Sequence, residues 1–134
     1  MYLLDTNIVL ELLLDQDHAD QVAAFLDQAL PDSLYISEFS FYSLGVILLR
    51  FKRYDLFKRS VEDLILSEVI SILRLDKRDM PRVAEVAQTS SLDFDDSYQY
   101  VVAEKFDLTL ISFDHDFDRT TRGRKTLNEV MQTS

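Results

Sequence analysis

The chain has 134 residues, of which 47% are hydrophobic, and its formal net charge is −10. This length supports one sizeable hydrophobic core, so we expect a single domain spanning residues 1–134. The apolar stretches are shorter than the roughly 20 residues that a membrane-crossing helix needs, and the first residues lack a signal-peptide pattern. Because the chain has no cysteine, disulfides and cysteine-based zinc sites are excluded. We therefore expect a cytoplasmic protein with no membrane partner.

The charge balance bears on nucleic-acid binding. Proteins that bind nucleic acid mainly by neutralising phosphates carry a surplus of lysine and arginine, and this chain has the opposite balance. Its acids either form a solubilising surface or converge in part on a divalent cation that contacts phosphate. The basic residues concentrate in two groups, 50–59 and 119–125, which are either phosphate-binding patches or solvated helix faces.

Short apolar runs alternate with amphipathic segments along the chain. Runs such as 108–112 are typical of buried strands, and apolar residues three or four positions apart, as in 38–53, predict helices. Ser37, and Asp79 followed by Pro81, are helix-start signals. In chain order the predicted elements are strand 2–4, helix 8–14, helix 19–30, strand 34–36, helix 38–53, helix 55–66, strand 69–73, helix 80–88, a helix that follows 92–96 and ends near 105, and strand 108–112.

This alternation of strands and helices favours an α/β fold. Successive strands joined through helices run parallel in one sheet, with right-handed crossovers. A parallel sheet needs helices on both faces to bury it. We therefore predict a three-layer α/β/α sandwich with a mostly parallel sheet.

Aspartates follow two of the predicted strands. Asp5 comes directly after the first strand, Asp114 comes after the last, and Asp96 lies near the start of a helix. Ligands bind outside the carboxyl ends of the strands in open α/β sheets, so these side chains can meet in one crevice. Carboxylates brought together repel one another unless a cation is bound, and Mg²⁺ and Mn²⁺ prefer oxygen ligands. The pattern predicts a metal site, with Asp116 as a further candidate ligand.

These aspartates also allow two other interpretations. One is a purely structural role, and the other is an enzyme with a different reaction. In a purely structural role, Asp5 and Asp96 cap helices and Asp114 is a turn residue, although the acids at 114–118 are harder to account for by capping alone. An aspartyl-phosphate phosphatase would also use an aspartate at a strand end, but it would need a second aspartate where Asn7 stands. The sequence shows no recognisable nucleophile triad and no glycine-rich phosphate loop.

Three short acidic segments are spread along the chain, namely Leu4-Asp5-Thr6-Asn7, Leu92-Asp93-Phe94-Asp95-Asp96 and Leu110-Ile111-Ser112-Phe113-Asp114-His115-Asp116-Phe117. In order and spacing they resemble the motifs of the PIN-domain family, especially small VapC-like toxins. The resemblance covers nearly the whole chain and implies a divalent-metal-dependent endoribonuclease.

The resemblance also implies particular residues and partners. It assigns catalysis and metal binding to Asp5, Asp96 and Asp114 and adds Asp116 as a metal ligand. Asn7 and Ser112 are implied as supporting polar groups. The implied cofactor is Mg²⁺ or Mn²⁺, the substrate is RNA, and the implied protein partners are an antitoxin and a second copy of the chain in a homodimer.

One departure from the family pattern lies in the helix after the second strand. The family has a glutamate there, in a pattern like Ile-Ser-x-x-Thr-x-x-Glu-Leu, and this chain has Ser43 at that position of 36–44. Glu38 is five residues earlier, which places it about 140° away around a helix, so it is not a simple replacement. The alternative function is therefore a catalytically degenerate PIN-like module that binds RNA or a protein partner.

Overall fold

The computed structural model describes residues 1–132. Its strands are β1 (Tyr2–Leu4), β2 (Leu34–Ser37), β3 (Ser71–Leu73) and β4 (Thr109–Ile111). Its α-helices are α1 (Thr6–Leu13), α2 (Ala19–Gln28), α3 (Glu38–Arg50), α4 (Tyr54–Ser60), α5 (Met80–Ser90), α6 (Phe94–Phe106) and α7 (Leu127–Gln132). A π-helical segment, Val61–Leu66, continues α4, and 3₁₀ turns lie at Lys77–Asp79 and His115–Arg119. Within residues 1–132, no helix combines the length and hydrophobicity needed to span a membrane.

The strands form one parallel sheet in the order β3-β2-β1-β4. From β1 the chain first adds β2 and β3 on one side, and it later returns to place β4 on the other side of β1. The direction of the connections therefore reverses between β1 and β4. The crevice at the carboxyl ends of these two strands is the place where ligands bind in open parallel sheets.

Helices cover both faces of the sheet, as predicted. On one face, Leu3 and Leu110 pack with residues of α5 and α6 such as Val83. On the other face, Leu4 and Ile111 pack with residues of α1, α2 and α3. Neighbouring residues of a strand point to opposite faces, so each short strand contributes to both cores. The result is the predicted three-layer α/β/α arrangement.

Several element boundaries differ from the sequence expectation. The prediction of a helix to about residue 53 was wrong, because Lys52 adopts a positive φ of 59° and α3 ends at Arg50. The amides of Lys52 and Arg53 donate to the carbonyls of Leu49 and Leu48, which closes the helix end. The segment predicted as helix 55–66 is α-helical only to Ser60 and π-helical beyond it.

Candidate metal centre

The carboxyl ends of β1 and β4 bring the predicted acids together. Asp5 directly follows β1, and its backbone amide donates to the carbonyl of Ile111 in β4 at 2.9 Å. Asp114 lies just beyond β4, where its Oδ1 accepts a hydrogen bond of 2.8 Å from the amide of Asp116 and caps a 3₁₀ turn. Asp96 comes from the first turn of α6. Three distant segments of the chain thus meet at one edge of the sheet.

Three of the four predicted metal ligands form a tight cluster. One carboxylate oxygen from each of Asp96, Asp114 and Asp116 lies within 4.8 Å of the other two. Asp96 and Asp114 are half-buried, whereas Asp116 is exposed. Oxygens at this spacing can share one cation, and carboxylate oxygens are the ligands that Mg²⁺ and Mn²⁺ prefer.

Asp5 lines the same pocket as Asp96 and Asp114 and is more buried, with 7% of its surface exposed. Its Oδ1 accepts hydrogen bonds from the amide of Thr6 at 2.8 Å and the side-chain amide of Gln99 at 3.0 Å. Its Oδ2 accepts from the hydroxyl of Ser112 at 2.6 Å. Because a carboxylate oxygen has two lone pairs, Oδ2 keeps capacity for a further ligand.

Ser112 joins Asp5 to the loop that carries Asp114. The Ser112 hydroxyl is buried, donates to Asp5, and accepts from the backbone amide of Asp114 at 2.9 Å and the side-chain amide of Asn7 at 3.3 Å. The Oδ1 atom of Asn7 accepts from the amide of Phe113 at 3.4 Å. One serine hydroxyl therefore uses its donor and both acceptor positions to hold Asp5, Asn7 and the backbone of Asp114 together.

Sequence analysis missed Gln99 and Ser40. Gln99 is 2% exposed, and its side-chain amide donates to Asp5 and to the Ser40 hydroxyl at 2.6 Å. Ser40 also accepts from the Thr6 hydroxyl at 2.8 Å. The Oε1 atom of Gln99 is buried with no hydrogen-bond partner among the described residues. The signal that could have found Gln99 is its position one helical turn after Asp96.

Two further pocket residues bear on the departure from the family pattern. Ser43 of α3, at the position where the pattern has glutamate, lines the same pocket as Asp96. Asp95, in the first turn of α6, lines it as well and adds a carboxylate that the sequence analysis did not assign. Among the described residues that line this pocket, none is lysine or arginine.

The crowded carboxylates change the acidity of the site. Burial, followed by the charges of Asp114, Asp93 and Asp5, raises the pKa of Asp96 from 3.8 to about 8. Burial also raises the pKa of Asp5, although the hydrogen bonds that it accepts oppose the rise. A divalent cation at the cluster would relieve this repulsion, so the residues present fit a metal ion.

Capping accounts for only part of this arrangement. Asp93 caps α6, because its Oδ1 accepts from the amide of Asp96 at 3.1 Å. The interpretation of Asp96 as a helix cap was therefore wrong, and its carboxylate is left to face the pocket. Asp5 does cap α1 and Asp114 caps the 3₁₀ turn that follows it, and both residues line the pocket at the same time.

These features define a class: an α/β protein with an acidic pocket at the carboxyl ends of its parallel strands. The family model described as PIN domain matches residues 2–123. The chain therefore belongs to the PIN domain family, as its acidic motifs predicted. Comparison with curated proteins gives no match.

Several solved structures share this fold over nearly their whole length. A chain of a toxin-antitoxin complex from Klebsiella pneumoniae aligns with a TM-score of 0.77 at 22% identity, covering 95% of this chain and 98% of that one. FitAcB from Neisseria gonorrhoeae gives 0.73 at 26% identity, covering 94% and 96%. VapC20 from Mycobacterium tuberculosis, a sarcin-ricin loop cleaving toxin, gives 0.75 at 15% identity, covering 88% and 93%.

Proposed function

We propose that this protein is a divalent-metal-dependent endoribonuclease of the VapC-like toxin kind that acts in the cytoplasm. The observation that carries the proposal is the convergence of Asp96, Asp114 and Asp116 within 4.8 Å. Membership of the PIN domain family supports it. One similar chain comes from a toxin-antitoxin complex, and another is a toxin that cleaves the sarcin-ricin loop.

In this proposal Asp5, Asp96 and Asp114 hold Mg²⁺ or Mn²⁺, and Asp116 is a further ligand. A bound divalent ion supplies a more acidic water and stabilises charge on the phosphodiester. The chain's own residues position the ligands: Ser112 holds Oδ2 of Asp5 and the loop after β4, and Gln99 holds Oδ1 of Asp5. This support holds the carboxylates in place before the substrate arrives.

The charge of the pocket gives the cation a second role. The described residues that line the pocket include four aspartates and no basic side chain. A phosphate entering this pocket without a cation would meet only like charge, so RNA binding in the pocket depends on metal binding.

Cleavage of a labelled RNA tests the proposal. We expect cleavage in Mn²⁺ or Mg²⁺, no cleavage in chelator, and a loss of about 100-fold or more in Asp114→Asn. Asp107→Asn is the matched control, because Asp107 is exposed and pairs with Arg122 outside the pocket. Cleavage that survives Asp114→Asn or chelation would contradict the proposal.

The second candidate is a degenerate PIN-like module that binds RNA or a protein partner without cleaving RNA, and Ser43 is the observation that favours it. Restoring the acid with Ser43→Glu discriminates the two, with Ser43→Gln as a control of similar size and no charge. A large gain in metal affinity or cleavage in Ser43→Glu alone would support the degenerate module. An unchanged result would support a site that is already complete, with Asp95 adding charge at the same pocket.

We infer two protein partners, a second copy of the chain and an antitoxin. Helix α3 exposes an apolar stripe at helical spacing, made of Tyr42 (60% exposed), Val46 (55%) and Leu49 (42%). Exposed apolar stripes of this kind are typical of protein interfaces, which supports a homodimer. The toxin-antitoxin complex from Klebsiella pneumoniae, which contains a similar chain, supports an antitoxin partner.

A further inference from the structure

We propose that Arg124 is a positioning residue that holds the acidic loop of the candidate metal centre in place. The acidic loop, residues 112–118, carries Asp114 and Asp116. The inference rests on the proposed function, because holding these two carboxylates matters to activity only if they bind a metal ion.

The guanidinium of Arg124 contacts the acidic loop at its start, middle and end. Its Nη1 donates to the carbonyl of Ser112 at 3.0 Å, and its Nη2 donates to Nδ1 of His115 at 2.9 Å. Its Nε and Nη2 donate to the two carboxylate oxygens of Asp118 at 3.2 and 3.4 Å. Since a guanidinium has no acceptor, the Nδ1 atom of His115 must carry a lone pair. Both candidate ligands of the loop lie between residues anchored by one side chain.

Arg124 is also the most buried of three nearby arginines. Its side chain is 9% exposed, against 33% for Arg122 and 49% for Arg119. A charge removed from water is costly unless hydrogen bonds and an opposite charge compensate it. The loop provides this compensation through Asp118 and two neutral acceptors. The arrangement therefore ties the position of the guanidinium to the conformation of the loop.

The backbone beside Arg124 is fixed independently of its side chain. Lys125 forms a parallel bridge with Ile111, its amide donates to the carbonyl of Leu110 at 2.8 Å, and its carbonyl accepts from the amide of Ser112 at 3.2 Å. This bridge anchors the segment to the edge of β4. Removing the guanidinium should therefore loosen the acidic loop while the segment itself stays in place.

The contacts of Arg124 make it possible to distinguish positioning of the acidic loop from a simple effect of the arginine's charge. The carboxylate that pairs with Arg124 belongs to Asp118, which is outside the cluster of Asp96, Asp114 and Asp116. Arg124→Lys keeps the positive charge but replaces a planar fork by a single ammonium, which cannot reach three parts of the loop together. Arg124→Ala removes both the charge and the fork.

The test compares Arg124→Lys and Arg124→Ala with the matched control Arg122→Ala, which loses an ion pair to Asp107 and a bond to the Leu108 carbonyl, both outside the loop. We expect faster amide hydrogen exchange across residues 112–118 in both Arg124 variants. We expect Mn²⁺ affinity, measured by calorimetry, to fall by about 10- to 100-fold in both, with little change in Arg122→Ala. Free guanidinium at non-denaturing concentration should restore Mn²⁺ affinity in Arg124→Ala but not in Arg124→Lys.

The outcomes of this test bear on the positioning role of Arg124 as follows. Unchanged Mn²⁺ affinity in Arg124→Lys and Arg124→Ala, with normal binding by the wild type, would overturn this inference and leave the proposed function standing. An equal loss in Arg122→Ala would also overturn it, because the effect would then be general destabilisation. If the wild type binds no Mn²⁺, the proposed function fails and this inference fails with it. If Arg124→Ala does not fold, the affinity of Arg124→Lys decides.

Discussion

Asp96 is the residue whose pKa responds most clearly to the crowding of carboxylates in the pocket. It is half-buried at the first turn of α6 and lies beside Asp114, Asp93 and Asp5, whose charges add to the effect of burial. A protonated Asp96 carboxyl can share a hydrogen bond with Asp114, whereas the ionised form meets only repulsion. If Asp96 is a metal ligand, as we propose, proton binding and metal binding at this residue compete.

This competition predicts a pH dependence. Because the pKa of Asp96 is raised from 3.8 to about 8, the folded protein binds a proton that the unfolded chain releases between these two values. The free energy of unfolding of the metal-free protein should therefore fall as pH rises through this window. Since Mn²⁺ must displace the proton, its affinity should rise with pH up to about 8.

Thermal denaturation with and without Mn²⁺ measures this effect. The increase in melting temperature on adding Mn²⁺ should be larger at the upper end of the window than at its lower end. Asp96→Asn should show little increase at either end, because it lacks both the titrating carboxyl group and one of the proposed metal ligands. An increment that is the same at both ends in the wild type would show that Asp96 does not couple to the metal.

Ser112→Ala tests the buried hydrogen bonds below the pocket. The substitution removes the donor to Asp5 Oδ2 and leaves the amide of Asp114 without this acceptor. Leaving buried polar groups unsatisfied costs about 1–3 kcal/mol, so urea denaturation should show a loss of that size. Ser60→Ala is the control, because among residues 1–132 the Ser60 hydroxyl bonds only to a carbonyl of its own helix, that of Leu56. Equal stability of Ser112→Ala and wild type would contradict the role given to Ser112.

At the scale of the elements, helix starts could be predicted better than helix ends. Ser37 was predicted as a cap, and its hydroxyl does accept from the amide of Ser40 at 2.9 Å. Helix ends depend here on positive φ at Lys52, Ser91 and Asp107, residues that give no signal of the kind that glycine gives. The predicted limit of α3 was wrong for this reason.

Substituting alanine for each of the two glycines should change the stability of the protein in opposite directions. Gly45 is inside α3, and a β-carbon there would lie at an ordinary contact distance of 3.5 Å from the ring of Phe57. Gly45→Ala should therefore raise the free energy of unfolding by about 0.5–1 kcal/mol. Gly123 has a φ of +66°, so Gly123→Ala should lower it by about 1 kcal/mol although the space is open. Urea denaturation of both variants shows whether the free energy of unfolding rises or falls. A destabilised Gly45→Ala would contradict the helix packing described.

At the scale of the whole molecule, the parallel sheet explains which parts of the site could be predicted. Asp5 and Asp114 follow neighbouring strands, so their proximity follows from chain order and sheet topology. Gln99 and Ser40 could not be placed in this way, because the contact of Gln99 with Asp5 and the contacts of Ser40 with Gln99 and Thr6 depend on how α3 and α6 pack near the start of α1. Position relative to a strand is visible in the sequence, whereas contacts between helices are not.

The apolar stripe of α3 predicts the assembly state. If Tyr42, Val46 and Leu49 form the homodimer interface, Val46→Glu should yield a monomer, because it buries an unpaired charge. Sedimentation velocity compares it with wild type and with Leu30→Glu, which places the same charge at a residue 76% exposed after α2. A wild-type monomer, or a dimer that survives Val46→Glu, would contradict this interface.

Calorimetric titration of Mn²⁺ and Mg²⁺ into the purified protein is the most direct measure of whether these aspartates form a metal centre. We expect saturable binding by the wild type, loss of binding in Asp96→Asn and Asp114→Asn, and normal binding in Asp107→Asn, whose side chain is exposed outside the pocket. A wild-type protein that shows no saturable binding at millimolar metal would contradict the metal centre. Asp5 would then act only as the cap of α1, and Asp114 only as the cap of the 3₁₀ turn that follows it.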